Sequence, residues 1–382
     1  MWVHVAVVFT TALIMVKGQE SQFSCPPLVC SCSESSKAAN CSDRGLLKTP
    51  PGLPLNLKSL DLSKNELKTV NTTDILNITH LEILDLSYNK ITELSFPGTH
   101  YKLRKLDISS NSLSTVRGLQ LDGLVHLMEL NLANNKIISL PSNAFPGGNL
   151  LRFLNLKNNR IVSLDEGCMD NLTSLEHLIL TRNLLSSFPK GLFKKMKSLL
   201  VLELNKNKFV DLSGLTFHGL ANLKVLRFKR NQIEFLHDGA FFGLHNIEEL
   251  SLDRNKIKLV NKGWLYGLYT LRYLSLAHNN VDYVQEDAWE FCRDLNELDL
   301  KSNKLQLLDH MTLSRLPSLK HLYLQDNKIS HIEGRNEDDG RTFADVPLLE
   351  TLALDGNEIS HTIEDMEAPF DGLENLKTLT IT

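Results

Sequence analysis

Four cysteines, Cys25, Cys30, Cys32 and Cys41, fall within 17 residues and precede the turn-forming run Pro50-Pro51-Gly52-Leu53-Pro54. Thiols this close can oxidise to two disulfides or hold a zinc ion. The residues upstream favour oxidation. Val3 to Val16 is an apolar stretch followed by Lys17-Gly18, the pattern of a secretory signal over residues 1–18 that delivers a chain to an oxidising compartment. A buried N-terminal helix is the competing reading of that stretch. Four cysteines allow three pairings, and spacing does not choose among them.

No other residues have the spacing of a reactive centre. The 13 histidines are scattered, HExxH and GxSxG are absent, and no nucleophile stands with a base and an orienting group. The sequence therefore reads as non-enzymatic, without cofactor or catalytic metal. A net charge of -4 over 382 residues points to neither nucleic acid nor an anionic membrane. Beyond the N-terminus there is no apolar run long enough to span a bilayer, so membrane anchoring would need segments absent from this chain.

What positions these residues is a repeat. Thirteen asparagines, at 65, 89, 111, 135, 159, 183, 207, 231, 255, 279, 303, 327 and 357, each follow an apolar LxxLxLxx frame, and ten of the twelve steps between them are 24 residues. A repeat of this kind predicts an α/β leucine-rich-repeat solenoid of about 13 to 14 coils. Each coil contributes one short strand to a curved parallel sheet, with the frame leucines inward and the x positions on an open concave face. Each buried asparagine amide is expected to satisfy backbone groups where the chain leaves its strand. Ten residues after the asparagines stand Phe145, Phe193, Phe217 and Phe241, then Leu265, Trp289 and Leu313, with Phe343 and Phe370 continuing the row, which reads as a core spine on the convex side.

The cysteine cluster resembles the N-terminal cap of extracellular leucine-rich-repeat proteins. That resemblance implies Cys25 with Cys32 and Cys30 with Cys41, closing an apolar first coil that has no coil before it. The expected organisation is a signal at 1–18, a cysteine-rich cap at 19–54 and a solenoid at 55–382. Cys168 and Cys292 lie five coils apart, roughly 24 Å at one strand spacing per coil, too far to pair. Cys292 reads as a small buried residue. Cys168, one residue before Met169, reads as partly exposed and open to an intermolecular disulfide.

The face available to a partner can be read from the repeat. The position between the last two frame leucines is Asp61, Asp85, Asp107, Asn131 and Asn155 in the first coils, and neighbouring strand positions turn apolar in the middle at Phe153, Ile179, Val201 and Val225. Beside them Arg182, Lys206, Arg227, Lys229, Arg230 and Arg254 come from four consecutive coils, so their charges are expected to sum. An apolar centre with an arginine-rich edge has the composition of a protein-binding patch. Sequons at Asn40, Asn71, Asn77 and Asn171 would place glycan on the early coils, and the longest step, Asn327 to Asn357, contains the acidic run 334–340, a candidate contact or proteolysis loop.

Three segments carry a narrower resemblance: Gly263-Trp264-Leu265-Tyr266-Gly267-Leu268; Trp289-Glu290-Phe291-Cys292 with Leu295; and Asn357 through Asp365. They are similar to coils of the leucine-rich repeat and immunoglobulin-like domain (LRIG) family. The resemblance implies the ectodomain of a cell-surface regulator that binds growth-factor receptor ectodomains and restrains their tyrosine kinase signalling. The alternative is a general extracellular recognition or matrix module, an immune pattern receptor or a glycosaminoglycan binder. Leu376, Leu379 and Ile381 begin a fourteenth frame that stops at Thr382, so the solenoid is expected to be C-terminally incomplete.

Overall fold

A computed structural model describes residues 25–26, 29–70, 75, 77–96, 102–119, 121–332, 342–359, 370 and 372–382. The signal stretch, the acidic run at 334–340 and Asn71 lie outside these residues. Each frame folds into a three-residue strand with its middle leucine inward, because alternate strand residues face opposite sides. Among the described residues the strands stack in sequence order into one sheet of sixteen. Ser31–Ser33 and Ala38–Asn40 form an antiparallel hairpin at its start, and every later pairing is parallel and keeps the frame in register, so that Leu178 lies between Leu154 and Leu202. Most of these middle leucines, from Leu60 to Leu352, are fully buried.

The asparagines join the coils. Asn207, 3% exposed, accepts at Oδ1 from the Leu185 N–H of the preceding coil (3.1 Å) and donates from Nδ2 to the carbonyls of Leu180 and Leu204, both at 3.0 Å. The same pattern runs from Asn65 to Asn357. A buried polar group left unpaired costs roughly 1–3 kcal/mol, which is why an amide with both a donor and an acceptor recurs here.

The residue before each asparagine turns left-handed, with φ between 54° and 60° at Lys64, Tyr88, Arg182, Lys206 and Arg230, among others. This conformation lets the chain leave the strand, and it holds a column of outward side chains at one edge of the concave face. Among the described residues the convex side is made of turns, short 3-10 helices and two-residue strands, with one four-residue α-helix at Lys262–Leu265 capped by the Asn261 side chain. Its spine is buried as the sequence predicts: Phe217 stacks on Phe193 and Phe241 at 5.9 and 5.8 Å, and Trp289 donates from Nε1 to the Thr312 carbonyl at 2.9 Å. Among the described residues no helix is long and apolar enough to cross a membrane.

Candidate functional site

The concave sheet offers two outward rows, the first and third residues of each strand. Register assigns Phe153, His177, Val201 and Val225 to the first row and Asn155, Ile179, Glu203 and Arg227 to the third. The four apolar candidates are therefore not one strip. Phe153, Val201 and Val225 share a row in which His177 intervenes, its ring 6.3 Å from that of Phe153, and Ile179 stands across from them between Asn155 and Glu203. All are half-buried. Phe153 also borders a hollow of about 700 Å³ shared with Ile83, Arg104, Met128 and Arg152, so apolar surface extends toward the early coils.

The six cations divide into two sets. Arg182, Lys206, Arg230 and Arg254 all occupy the left-handed slot before an asparagine in successive coils. Among the described residues none of them has a carboxylate partner. Their charges do sum: the Lys206 amine is held below its ordinary value, chiefly by Arg182, then by partial burial, Arg230 and Lys157. His278 continues the column, with Nε2 at 3.3 Å from Arg254 Nη2, where the imidazole must accept because a guanidinium only donates.

Arg227 and Lys229 belong elsewhere. Arg227 is held by Glu249 at two points (2.8 and 3.0 Å) and by Glu203 (3.0 Å), which raises its pKa, chiefly through the Glu249 hydrogen bond. Lys229 pairs with Asp253 at 3.1 Å. Both are neutralised locally, so the edge that can attract an anion is narrower than the sequence suggested. In the early coils the third-row acids end strands: Asp61, Asp85 and Asp107 each accept the N–H two residues on. Asn131 and Asn155 do the same.

The leucine rich repeat family matches in overlapping segments from residue 101 to 359, more than half of the chain, with a further match at 77–93. The chain belongs to the leucine-rich repeat family. A similar protein is the Danio rerio leucine-rich repeat and immunoglobulin-like domain-containing nogo receptor-interacting protein 1-B, 42% identical over 60 residues, which are 16% of this chain and 10% of that protein. The chain thus spans about a tenth of the length of the curated relatives it matches. Among solved structures, a leucine-rich repeat protein of Leptospira interrogans is 27% identical with a TM-score of 0.60, covering 89% of this chain and 94% of that one. FLRT2, solved in an octameric complex with Latrophilin 3 and Unc5D, is 25% identical with a TM-score of 0.54, covering 68% and 86%.

The leucine-rich repeat cap has the disulfides Cys25–Cys32 and Cys30–Cys41, the pairing that the extracellular cap resemblance implies. Asn65 ties it to the first coil, donating to the Cys41 carbonyl at 2.9 Å and accepting from the Arg44 and Leu46 N–H groups. Cys292 is fully buried. Cys168 corrects the sequence reading: it is 1% exposed and burial pushes its thiol up to about 12, so it is neither accessible nor reactive. Its slot holds Ala144, Ala240 and Ala288 in other coils, a signal that was available in the repeat.

The sequons Asn40, Asn77 and Asn171 are exposed. Trp264 and Trp289, prominent in the LRIG-like segments, are core residues and carry no binding chemistry. Missing from the sequence reading is a convex aromatic strip within four residues of the spine slot. Phe242 stacks on Tyr266 at 5.6 Å, and Phe291 packs edge-on against Tyr266 and Tyr269.

Proposed function

We propose that this solenoid is the extracellular binding part of a cell-surface regulator that engages growth-factor receptor ectodomains and restrains their tyrosine kinase signalling. The observation that carries the reading is the concave row Phe153, His177, Val201 and Val225, with Ile179 beside it and, at the edge of the face, a column of cations that have no carboxylate partner among the described residues. A rigid, disulfide-capped sheet can present such a row without reorganising, and half-buried aromatic and aliphatic groups are the usual anchors of protein interfaces. The partners named for similar proteins, Latrophilin 3 and Unc5D for FLRT2 and a nogo receptor for the Danio rerio relative, support a protein ligand.

A second reading, a glycosaminoglycan-binding matrix module, is favoured by the column Arg182, Lys206, Arg230 and Arg254 alone. The two differ in what each substitution does. Binding to immobilised receptor tyrosine kinase ectodomains and to heparin should be measured for the unaltered chain, Phe153→Ala and Arg230→Glu. For a protein ligand Phe153→Ala speeds dissociation and costs about 2 kcal/mol of affinity, as truncating a central anchor does. For a polyanion it changes little, and only Arg230→Glu weakens binding. Absence of binding to every ectodomain tested would remove the first reading.

A further inference from the structure

The Asn183 coil departs from its neighbours on the convex side. Coils from Asn135 to Asn327 place a two-residue strand there, at Ser163–Leu164 and Asp211–Leu212 for example, whereas Ser187-Phe188 forms none. The residue that follows is Pro189. Where Asp165 donates its N–H to the Leu140 carbonyl of the preceding coil, proline has no N–H to give to Leu164. Phe188 instead packs on the core, 4.8 Å from Phe209 and 5.1 Å from Phe193.

The next coil stays close to the one that follows it. Leu215 donates its N–H to Gly239 at 3.0 Å, and Gly214 lies so close to the Asn231 coil that an added Cβ would meet the Asp238 carbonyl at 2.6 Å. Only glycine permits that approach. Between the Asn183 and Asn207 coils a cavity of about 530 Å³ opens. Phe188, Phe209, Leu212, Leu215 and Phe242 supply its apolar wall, and Lys190, Lys194, His218 and Asp211 its polar rim.

Leu215 is the least expected residue of the wall. Its slot holds Asn143, Gly167, Gly191 and Gly239 in other coils, all at positive φ, and Leu215 adopts φ 63° there while 60% exposed. A leucine gains little burial at such a position and bears the left-handed penalty that glycine avoids. Its side chain forms the lip of the cavity.

We propose that this cavity binds a free long-chain fatty acid, with the hydrocarbon against Phe188, Phe209 and Leu215 and the carboxylate toward Lys190 and Lys194. The volume lies within the range of about 300–1,000 Å³ typical of small-ligand sites and exceeds what one partner side chain would fill. The wall is apolar, and its rim sets two lysines, neither with a carboxylate partner among the described residues, against the one carboxylate of Asp211, so an anionic head group fits at the lysines. The site is on the opposite side of the coils from the concave rows and is independent of the function proposed for them.

The test uses oleate, below its aggregation concentration, in calorimetric titration of the whole chain. Saturable one-to-one binding is expected, with methyl oleate and the Lys190→Glu/Lys194→Glu variant each weaker by about tenfold or more, as loss of a charge-assisted contact implies. Leu215→Gly should weaken binding without lowering the melting temperature, because its backbone geometry suits glycine. Failure of the unaltered chain to bind oleate would overturn the proposal, as would wild-type affinity in both variants. Binding to phosphatidylserine vesicles without binding of monomeric oleate would also overturn it, in favour of a membrane surface.

Discussion

Arg227 and Glu249 face each other from adjacent coils of the concave sheet in a two-point pair, Nε to Oε1 at 2.8 Å and Nη2 to Oε2 at 3.0 Å. Glu203 closes on the same guanidinium from the other side. The group is about one-third exposed, so its contribution is that of a screened but geometrically good pair, about 1 kcal/mol. Arg227→Met should therefore lower the melting temperature, leaving two carboxylates without their cation. Arg230→Met, with no carboxylate partner to lose, should leave melting unchanged and slow association with an acidic partner. Equal melting of the two variants would show that the ion pairs contribute nothing in solution.

The asparagine ladder makes a sharper stability prediction. Replacing Asn207 by Leu removes an acceptor from the Leu185 N–H and a donor from the Leu180 and Leu204 carbonyls, all in a buried setting. The expected loss is about 3 kcal/mol, from more than one buried backbone group left unpaired. Solenoid coils transmit stability to their neighbours, so hydrogen exchange should quicken first between residues 180 and 207 and last near Leu300. Uniform quickening along the chain would contradict a nearest-neighbour ladder.

The cap obeys the same logic at the end of the stack. Cys30→Ser with Cys41→Ser removes one disulfide without leaving a free thiol, at a typical cost of about 2–5 kcal/mol. Because Asn65 bonds directly to the Cys41 carbonyl, protection should fall around Leu60 before it falls around Leu300. Intact exchange protection at Leu60 in that variant would mean the cap covers the first coil without supporting it.

Much of this architecture is legible in the sequence because burial repeats with the coil. The leucine frame, the spine from Phe145 to Phe343 and the asparagine ladder each occupy one slot, and one slot has one environment. The same rule would have placed Cys168 with Ala144 and Ala240 in the core, and would have shown Arg227 facing Glu203 one coil away. Strand position separates Ile179 from Phe153, since two positions later it keeps the same face but falls in the other outward row. The convex cavity is different in kind. It depends on the packing between neighbouring coils around Pro189, Gly214 and Leu215, and only the leucine in a glycine slot hints at it.

Strand-end acids give a pH prediction. Burial raises the Asp85 carboxyl above its ordinary value, and Asp107 and Asp61 in the flanking coils add to the shift. A carboxylate whose folded pKa is raised penalises the folded state while ionised, and the penalty disappears as pH falls through its pKa. Asp85→Asn keeps the acceptor for the Ser87 N–H, as Asn131 and Asn155 do in the same row. The variant should melt higher than the unaltered chain at neutral pH, with the difference shrinking below the carboxylate range. A constant difference at all pH values would assign the effect to packing.

The cation column can be tested at its centre. Lys206 is depressed most by Arg182, and less by Arg230 and then Lys157. Arg182→Gln should accordingly raise the Lys206 amine toward its ordinary value by more than Lys157→Gln does, measured by nuclear magnetic resonance of the lysine side chain. The sign follows from like charges: protonating Lys206 adds a positive charge between two others, so removing a neighbour makes protonation easier. Heparin laid along the column should have the same effect, because polyanion charge replaces repulsion by attraction. A protein partner seated on Phe153 and Val201, reached through that field without touching Lys206, should leave its titration nearly unchanged while binding still weakens with salt. Titrating Lys206 in the free chain, with heparin and with a receptor ectodomain thus separates a column that holds its ligand from one that only guides a ligand to the apolar row across the sheet.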